Sequence, residues 1–152
     1  MFVFIGGGVR KKEVEVAIRN GLGNIVSLPY QPLESLKYSL SAADIHVVSV
    51  GNEIVGICHP SKVYGAMAVS RPILLFGPRK CHVTELIDLY DIGWQVDHGD
   101  VARAVRIITE TASSKSERAE KMGNRSLMAI KDDLSKERLC GRFMEVVEGQ
   151  LN

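Results

Sequence analysis

The residues best suited to do chemistry lie in one stretch, Gly51 to Pro78, which reads GNEIVGICHPSKVYGAMAVSRPILLFGP. Within it, His59-Pro60-Ser61-Lys62 follows an apolar run, Asp44 to Val50, and opens a helix expected to run out near Val69-Ser70. Proline suits a first helical position because it has no N–H to leave unpaired and its φ is already set. The free amides of that turn, the Ser61 hydroxyl and the Lys62 ammonium together make a site for an anion, phosphate above all. A lysine at a helix start opposes the helix dipole, which points to an anionic partner; a solvated lysine that merely flanks the loop is the plainer reading. Ligands of open α/β sheets bind where a strand ends and a helix begins, and Ser61 and Lys62 stand at such a junction.

Other candidates lie at similar junctions. Gly6-Gly7-Gly8 follows an apolar run and precedes a helical one, so Gly7 and Gly8 suggest a phosphate-binding turn. The spacing is not G-x-G-x-x-G, because position 11 is Lys, and a tight turn needing positive φ explains the glycines as well. Leu28-Pro29-Tyr30-Gln31-Pro32 is a loop stiffened by two prolines, with Tyr30 as a stacking surface or as a hydrophobic anchor. Glu53, Arg79, Lys80, His82 and Asp100 fall at or near strand ends, and Asp100 reads best as a helix cap. Cys58-His59 and Cys81-His82 are adjacent pairs without the spacing of a four-ligand zinc site, so no metal is expected. His46 sits inside an apolar run and reads as a core or interface histidine. No spacing specifies a Ser-His-Asp set or paired carboxylates, and nothing reads as a hydrolase.

These residues need elements to hold them. Phe2 to Ile5, Asn24 to Leu28, Asp44 to Val50, Pro72 to Phe76 and Gly93 to Val96 are strand-length apolar runs. Between and after them, helices are expected over Val9–Asn20 (Val14, Ala17 and Ile18 inward), Leu33–Ala43, Thr84–Tyr90, Val101–Thr111, Glu117–Leu134 and Lys136–Gln150. Gly21 and Gly23 should end the first helix, Leu36 and Leu40 share a face of the second, and Val101, Val105 and Ile108 share a face of the Val101–Thr111 helix. A polar break is expected at Ser113-Ser114-Lys115-Ser116. Continuous apolar strands alternating with helices mean an α/β, Rossmann-like parallel sheet with helices on both faces.

Length and composition set bounds. A chain of 152 residues with 45% hydrophobic and 24% charged residues is expected to be a single globular domain over 1–152. A net charge of +1 gives no electrostatic argument for nucleic acid or an anionic membrane surface. Three cysteines, odd in number, suit reduced thiols, and Met1 leads straight into an apolar strand without a signal-peptide pattern. A cytoplasmic location is the expectation.

Read together, these pieces resemble the C-terminal, donor-binding domain of retaining GT-B glycosyltransferases of the family 4 type. The pattern there is P-S-K-x-Y-x-x-(M/L)-A-x-x-R-P, a buried strand and a G-P turn; here it is Pro60, Ser61, Lys62, Tyr64, Met67, Ala68, Arg71, Pro72 and Gly77-Pro78. The similarity covers nearly the whole chain in order, through FVFIGGG at 2–8, NIVSLPYQP at 24–32, AADIHVV at 42–48 and SRPIL at 70–74. It implies a UDP- or GDP-linked sugar donor as substrate and no metal. It places Pro29, Tyr30 and Gln31 against the nucleobase, and Ser61 and Lys62 with Gly7 and Gly8 at the diphosphate. Glu53, His59 and His82 are the candidate sugar or ribose contacts.

Two departures matter. The family pattern has a glutamate, often given to ribose, where this chain has Gly65. The family also has a further βα unit before F-V-F-I-G-G-G and an N-terminal Rossmann domain that binds the acceptor. The resemblance therefore implies the donor-binding half of a longer, two-domain enzyme for polysaccharide or glycoconjugate synthesis, inactive alone, with any peripheral membrane association made through the other half. A non-catalytic Rossmann-like interaction or nucleotide-binding module stands as the alternative, with a different nucleotide-using α/β enzyme behind it.

Overall fold

The computed structural model describes residues 1–113 and 116–150, so Ser114 and Lys115 of the expected polar break lie outside the described residues. The described elements are β1 (Phe2–Ile5), α1 (Lys11–Arg19), β2 (Ile25–Leu28), α2 (Leu36–Ser41), β3 (His46–Ser49) and α3 (Lys62–Ala68). They continue with β4 (Ile73–Phe76), α4 (His82–Tyr90), β5 (Gly93–Val96), α5 (Val101–Ser113), α6 (Glu117–Asp132) and α7 (Lys136–Gln150). Single 3-10 turns occupy Leu33–Ser35, shortening the helix expected from Leu33, and Asn52–Ile54. The architecture is α/β, with parallel strands flanked by helices, as a Rossmann-like fold requires. The strands form two sheets rather than one, β1-β2 and β3-β4-β5. The chain likewise divides into two compact units, Met1–Ser39 and Leu40–Asn152.

In the first unit, β1 and β2 run parallel with Phe2 opposite Ile25 and Ile5 opposite Leu28. Val14, Ala17 and Ile18 form the half-buried face of α1, as their spacing predicts. That helix ends as expected at Gly21, whose φ is +91°. The amides of Gly21 and Leu22 turn back to the carbonyls of Ile18 and Ala17, satisfying two of the helix's last acceptors.

In the second unit, β4 is the central strand and is covered on both faces. Ile73 and Leu75 point into a core shared with Val63, Ala66 and Met67 of α3, Val83, Leu86 and Ile87 of α4, and Ala129 of α6. Leu74 points the other way and packs with Val96, Ala104 and Ile107. Alternation along a pleated strand produces this split, and two apolar faces give the unbroken apolar run ILLF. Met67, Ile73, Leu74 and Leu75 are all fully buried, and each such side chain contributes about 1.5–3 kcal/mol. Gly93 of β5 has a packing reason, since a Cβ there would lie 2.0 Å from the Ile73 carbonyl oxygen.

One expected face was misplaced. Ala104 and Ile107 are the buried residues of α5, whereas Val101 is 68% and Val105 55% exposed. Small Ala104 lets the helix approach the sheet, turning the valines outward, while Ile108 remains partly buried beside the core. Asp100 does cap this helix, its Oδ1 accepting from the Arg103 amide at 3.0 Å.

Candidate functional site

Because β3, β4 and β5 are parallel, the segments leaving their C-terminal ends gather at one edge of the sheet. Residues 50–61 leave β3 and lead into α3; residues 77–81 leave β4 and lead into α4; residues 97–100 leave β5. The His98 ring ties two of these exits together, donating from Nε2 to the Val50 carbonyl at 2.8 Å. Arg79 is turned away to Asp97, with its Nε and a terminal nitrogen 3.1 and 3.0 Å from one carboxylate oxygen.

A groove of about 390 Å³ opens at this edge, with Val50, His59, Pro60, Lys80, His82 and Glu85 among its lining residues. Two of the sequence candidates, His59 and His82, are thus brought together; their ring centroids lie 4.5 Å apart with a tilt of 54°. The helix expected from Thr84 begins at His82, with Cys81 extended before it. Thr84 holds that start in place by donating to the Pro78 carbonyl at 2.8 Å, and Cys81 Sγ lies 3.3 Å from the same hydroxyl. The residue that sequence reasoning missed is Tyr64, whose hydroxyl lies 2.6 Å from His82 Nε2. Eighteen residues separate the two, so only the meeting of two helix starts reveals the pair.

Partial burial holds His82 below the ordinary histidine pKa; the nearby His59 ring pushes the same way and Glu85 opposes. Burial raises the Tyr64 hydroxyl above its ordinary value, so it keeps its proton at neutral pH. His46, read as a core histidine, is half-buried and donates from Nε2 to the Leu40 carbonyl at 2.9 Å.

Ser61 and Lys62 follow the groove-lining Pro60 in the chain and are both exposed, but neither is among the residues that line the groove. The helix starts two residues later than the expected proline-first turn, at Lys62, with Ser61 as its N-cap and Pro60 before it. Two first-turn amides, those of Val63 and Tyr64, are taken by the carbonyls of Pro60 and Ser61 at 3.2 Å each. Glu53 stands apart from the groove, exposed on its 3-10 turn with its carboxylate folded over Gly51. Gly65 faces Leu40: a Cβ there would lie 3.3 Å from Leu40 Cδ1, so a leucine methyl occupies the space into which a longer residue would grow. Among the described residues, no group of three or more His, Cys, Asp or Glu gathers as metal ligands. No described helix is long and apolar enough to cross a membrane.

Within Met1–Ser39, the glycine turn and the Pro29–Pro32 loop do meet. The Tyr30 ring lies across the turn, so that a Cβ on Gly6 or Gly7 would stand 3.0 or 3.1 Å from its ring carbons. Gly6 and Gly8 have φ of +115° and +143°, a conformation that favours glycine. Tyr30 remains 78% exposed, with Gln31 anchored to the Pro29 carbonyl at 3.0 Å. Lys11 reaches back to the Gly6 carbonyl at 3.2 Å, which sets a cation on the turn beside Gly7 and Gly8.

No protein-family model matches the chain. It is 29% identical over 110 residues to the Probable glycosyltransferase WbjE of Pseudomonas aeruginosa. The matched span covers 72% of this chain and 28% of that protein, so the chain spans well under a third of its relative's length. This chain is therefore similar to part of a glycosyltransferase.

Proposed function

We propose that this chain is the donor-binding half of a retaining glycosyltransferase that uses a UDP- or GDP-linked sugar for polysaccharide or glycoconjugate synthesis. The observation that carries this reading is the groove at the C-terminal edge of β3-β4-β5, lined by His59, Pro60, Lys80 and His82, in a chain similar to a glycosyltransferase. Such edges are where parallel α/β sheets hold their ligands. On this reading Lys62 and Ser61, exposed just after the groove-lining Pro60, hold the diphosphate, and Lys80 adds a second cation. Fixed positive charge there favours departure of the diphosphate as the sugar–phosphate bond breaks. No metal is invoked, and the neutralisation is assigned to these lysines. His59 and His82 offer polar contacts to the sugar. Within residues 1–39, the Tyr30 ring offers a face for a nucleobase, and the Gly7-Gly8 turn beside Lys11 offers a phosphate contact. The acceptor and the full transfer reaction belong, on this reading, to a longer protein. Calorimetric titration with nucleoside diphosphates tests it.

A second reading, a non-catalytic Rossmann-like module, draws on Gly65. No carboxylate stands there to hold ribose, and Leu40 fills the adjoining space. Absence of affinity for any nucleoside diphosphate would favour it.

A further inference from the structure

We propose that Tyr64 is a positioning residue for His82, donating its hydroxyl proton to Nε2 and so fixing the imidazole in the Nδ1–H tautomer. The inference rests on the donor-site reading only for what the groove binds.

The two side chains meet for a topological reason. Strands β3 and β4 are adjacent and parallel, so the first turns of α3 and α4 lie side by side at one sheet edge. Tyr64 is in the first turn of α3, and His82 is the first residue of α4. The Tyr64 ring packs against the core formed by α3, α4 and the sheet, so its place is set by packing, and the hydroxyl is delivered to His82 at 2.6 Å.

Direction follows from the acid and base strengths of the two groups. A neutral imidazole has one N–H donor and one acceptor nitrogen; a phenol has one proton to give. If Nε2 kept the proton, Tyr64 would accept and its own hydrogen would turn to solvent; if Tyr64 donates, the Nδ1–H is the proton left over. Each direction leaves one proton for water or a ligand. A phenol, however, is a stronger acid than a neutral imidazole N–H, and the imidazole nitrogen is a better acceptor than a phenol oxygen, so Tyr64 donates and the ring proton stands on Nδ1. The bond made by one ring nitrogen decides the state of the other. His82 must be neutral for this to hold, and its surroundings favour that: partial burial and the His59 ring at 4.5 Å oppose a charge, against Glu85. Lys80, Cys58 and Cys81, the other titratable groups lining the groove, provide no further carboxylate.

The consequence is a defined donor. His82 lines the groove, and with Nε2 occupied its available group is Nδ1–H, suited to a hydroxyl or phosphate oxygen of a sugar nucleotide. Without Tyr64 the ring is free to exchange tautomers and would offer that donor for only part of the time.

The test is long-range ¹H–¹⁵N NMR of the histidine rings in the full 152-residue chain at pH 7.5, with His82 assigned by loss of its signals in His82→Gln. The expected result is an Nδ1–H tautomer for His82 that shifts toward Nε2–H in Tyr64→Phe. Titration with UDP and GDP should then show affinity weakened about fivefold in Tyr64→Phe, the order expected for one hydrogen bond. An Nε2–H tautomer in the unmutated chain overturns the proposal even if Tyr64→Phe fails to fold. So does a tautomer that Tyr64→Phe leaves unchanged. If the tautomer shifts as expected while neither nucleotide binds the unmutated chain, the positioning role stands and the donor-site reading falls.

Discussion

Gly123 of α6 lies against the Ser70 carbonyl at the end of α3, so close that a Cβ there would stand 2.2 Å from that oxygen. The oxygen is backbone and cannot swing aside as a side chain would. Gly123→Ala must therefore push α3 and α6 apart, in a core where Met67 and Met122 are fully buried. The expected cost is about 1–3 kcal/mol. It should be read as a lower denaturant midpoint with an unchanged slope.

Ser70 itself sits at φ +58°, a left-handed conformation, because it follows the C-cap of α3. Its amide and that of Arg71 turn back to the carbonyls of Met67 and Ala66, which is the closure that glycine usually makes. Ser70→Gly should relieve the backbone strain and lose one exposed bond, from Oγ to Asn124 Oδ1 at 3.2 Å. The expected net effect is a gain of about 0.5–1 kcal/mol, measured by thermal or chemical unfolding.

Acid should weaken the fold partly through His46. Burial lowers its pKa below the ordinary 6.5, an effect to which the Arg71 charge adds and which the Leu40 carbonyl opposes. A histidine with a depressed folded pKa leaves stability intact above 6.5. Stability is lost as the pH falls from there toward the folded value, because the unfolded chain takes up the proton first. His82 acts in the same direction. His46→Gln keeps a side-chain N–H donor and removes one titration, so unfolding midpoints measured from pH 7.5 to 5 should fall less steeply than in the unmutated chain.

The groove separates candidates that the sequence could not rank. His59 lines it, and Glu53 does not. His59→Ala is expected to weaken binding of the preferred nucleoside diphosphate sugar about fivefold, the order of one hydrogen bond, and Glu53→Gln to change it less than about twofold. Calorimetry on both variants gives the comparison directly. The reverse ranking would move the sugar contacts to the 3-10 turn at Asn52–Ile54.

Local signals carried much of the fold. Gly93 to Val96 was readable as a strand with correct bounds because a glycine and a polar turn bracket an apolar run, and Asp100 was readable as a cap because its partner is three residues away. Where the answer depended on tertiary approach, the sequence was silent or misleading. Val101 and Val105 have helical spacing and hydrophobicity, yet the small Ala104 decides which side of α5 meets the sheet. Division of the strands into two sheets was likewise not encoded in their apolar character, which serves any parallel ladder. At the candidate site, Ser61, Lys62, His59 and His82 were legible as residue types at a strand-to-helix junction. Tyr64 was not, because a tyrosine at helical spacing reads as core; its ring does pack against the core, yet its hydroxyl and ring both meet His82.

The donor-binding reading is tested most directly by isothermal titration of the chain with UDP, GDP and ADP, with Lys62→Ala as the paired variant. The expected result is measurable binding of UDP or GDP, reduced about tenfold in Lys62→Ala, as loss of a charge-assisted contact to phosphate implies. No binding to any of the three, or binding that Lys62→Ala leaves unchanged, would contradict the assignment of Lys62 to the donor diphosphate.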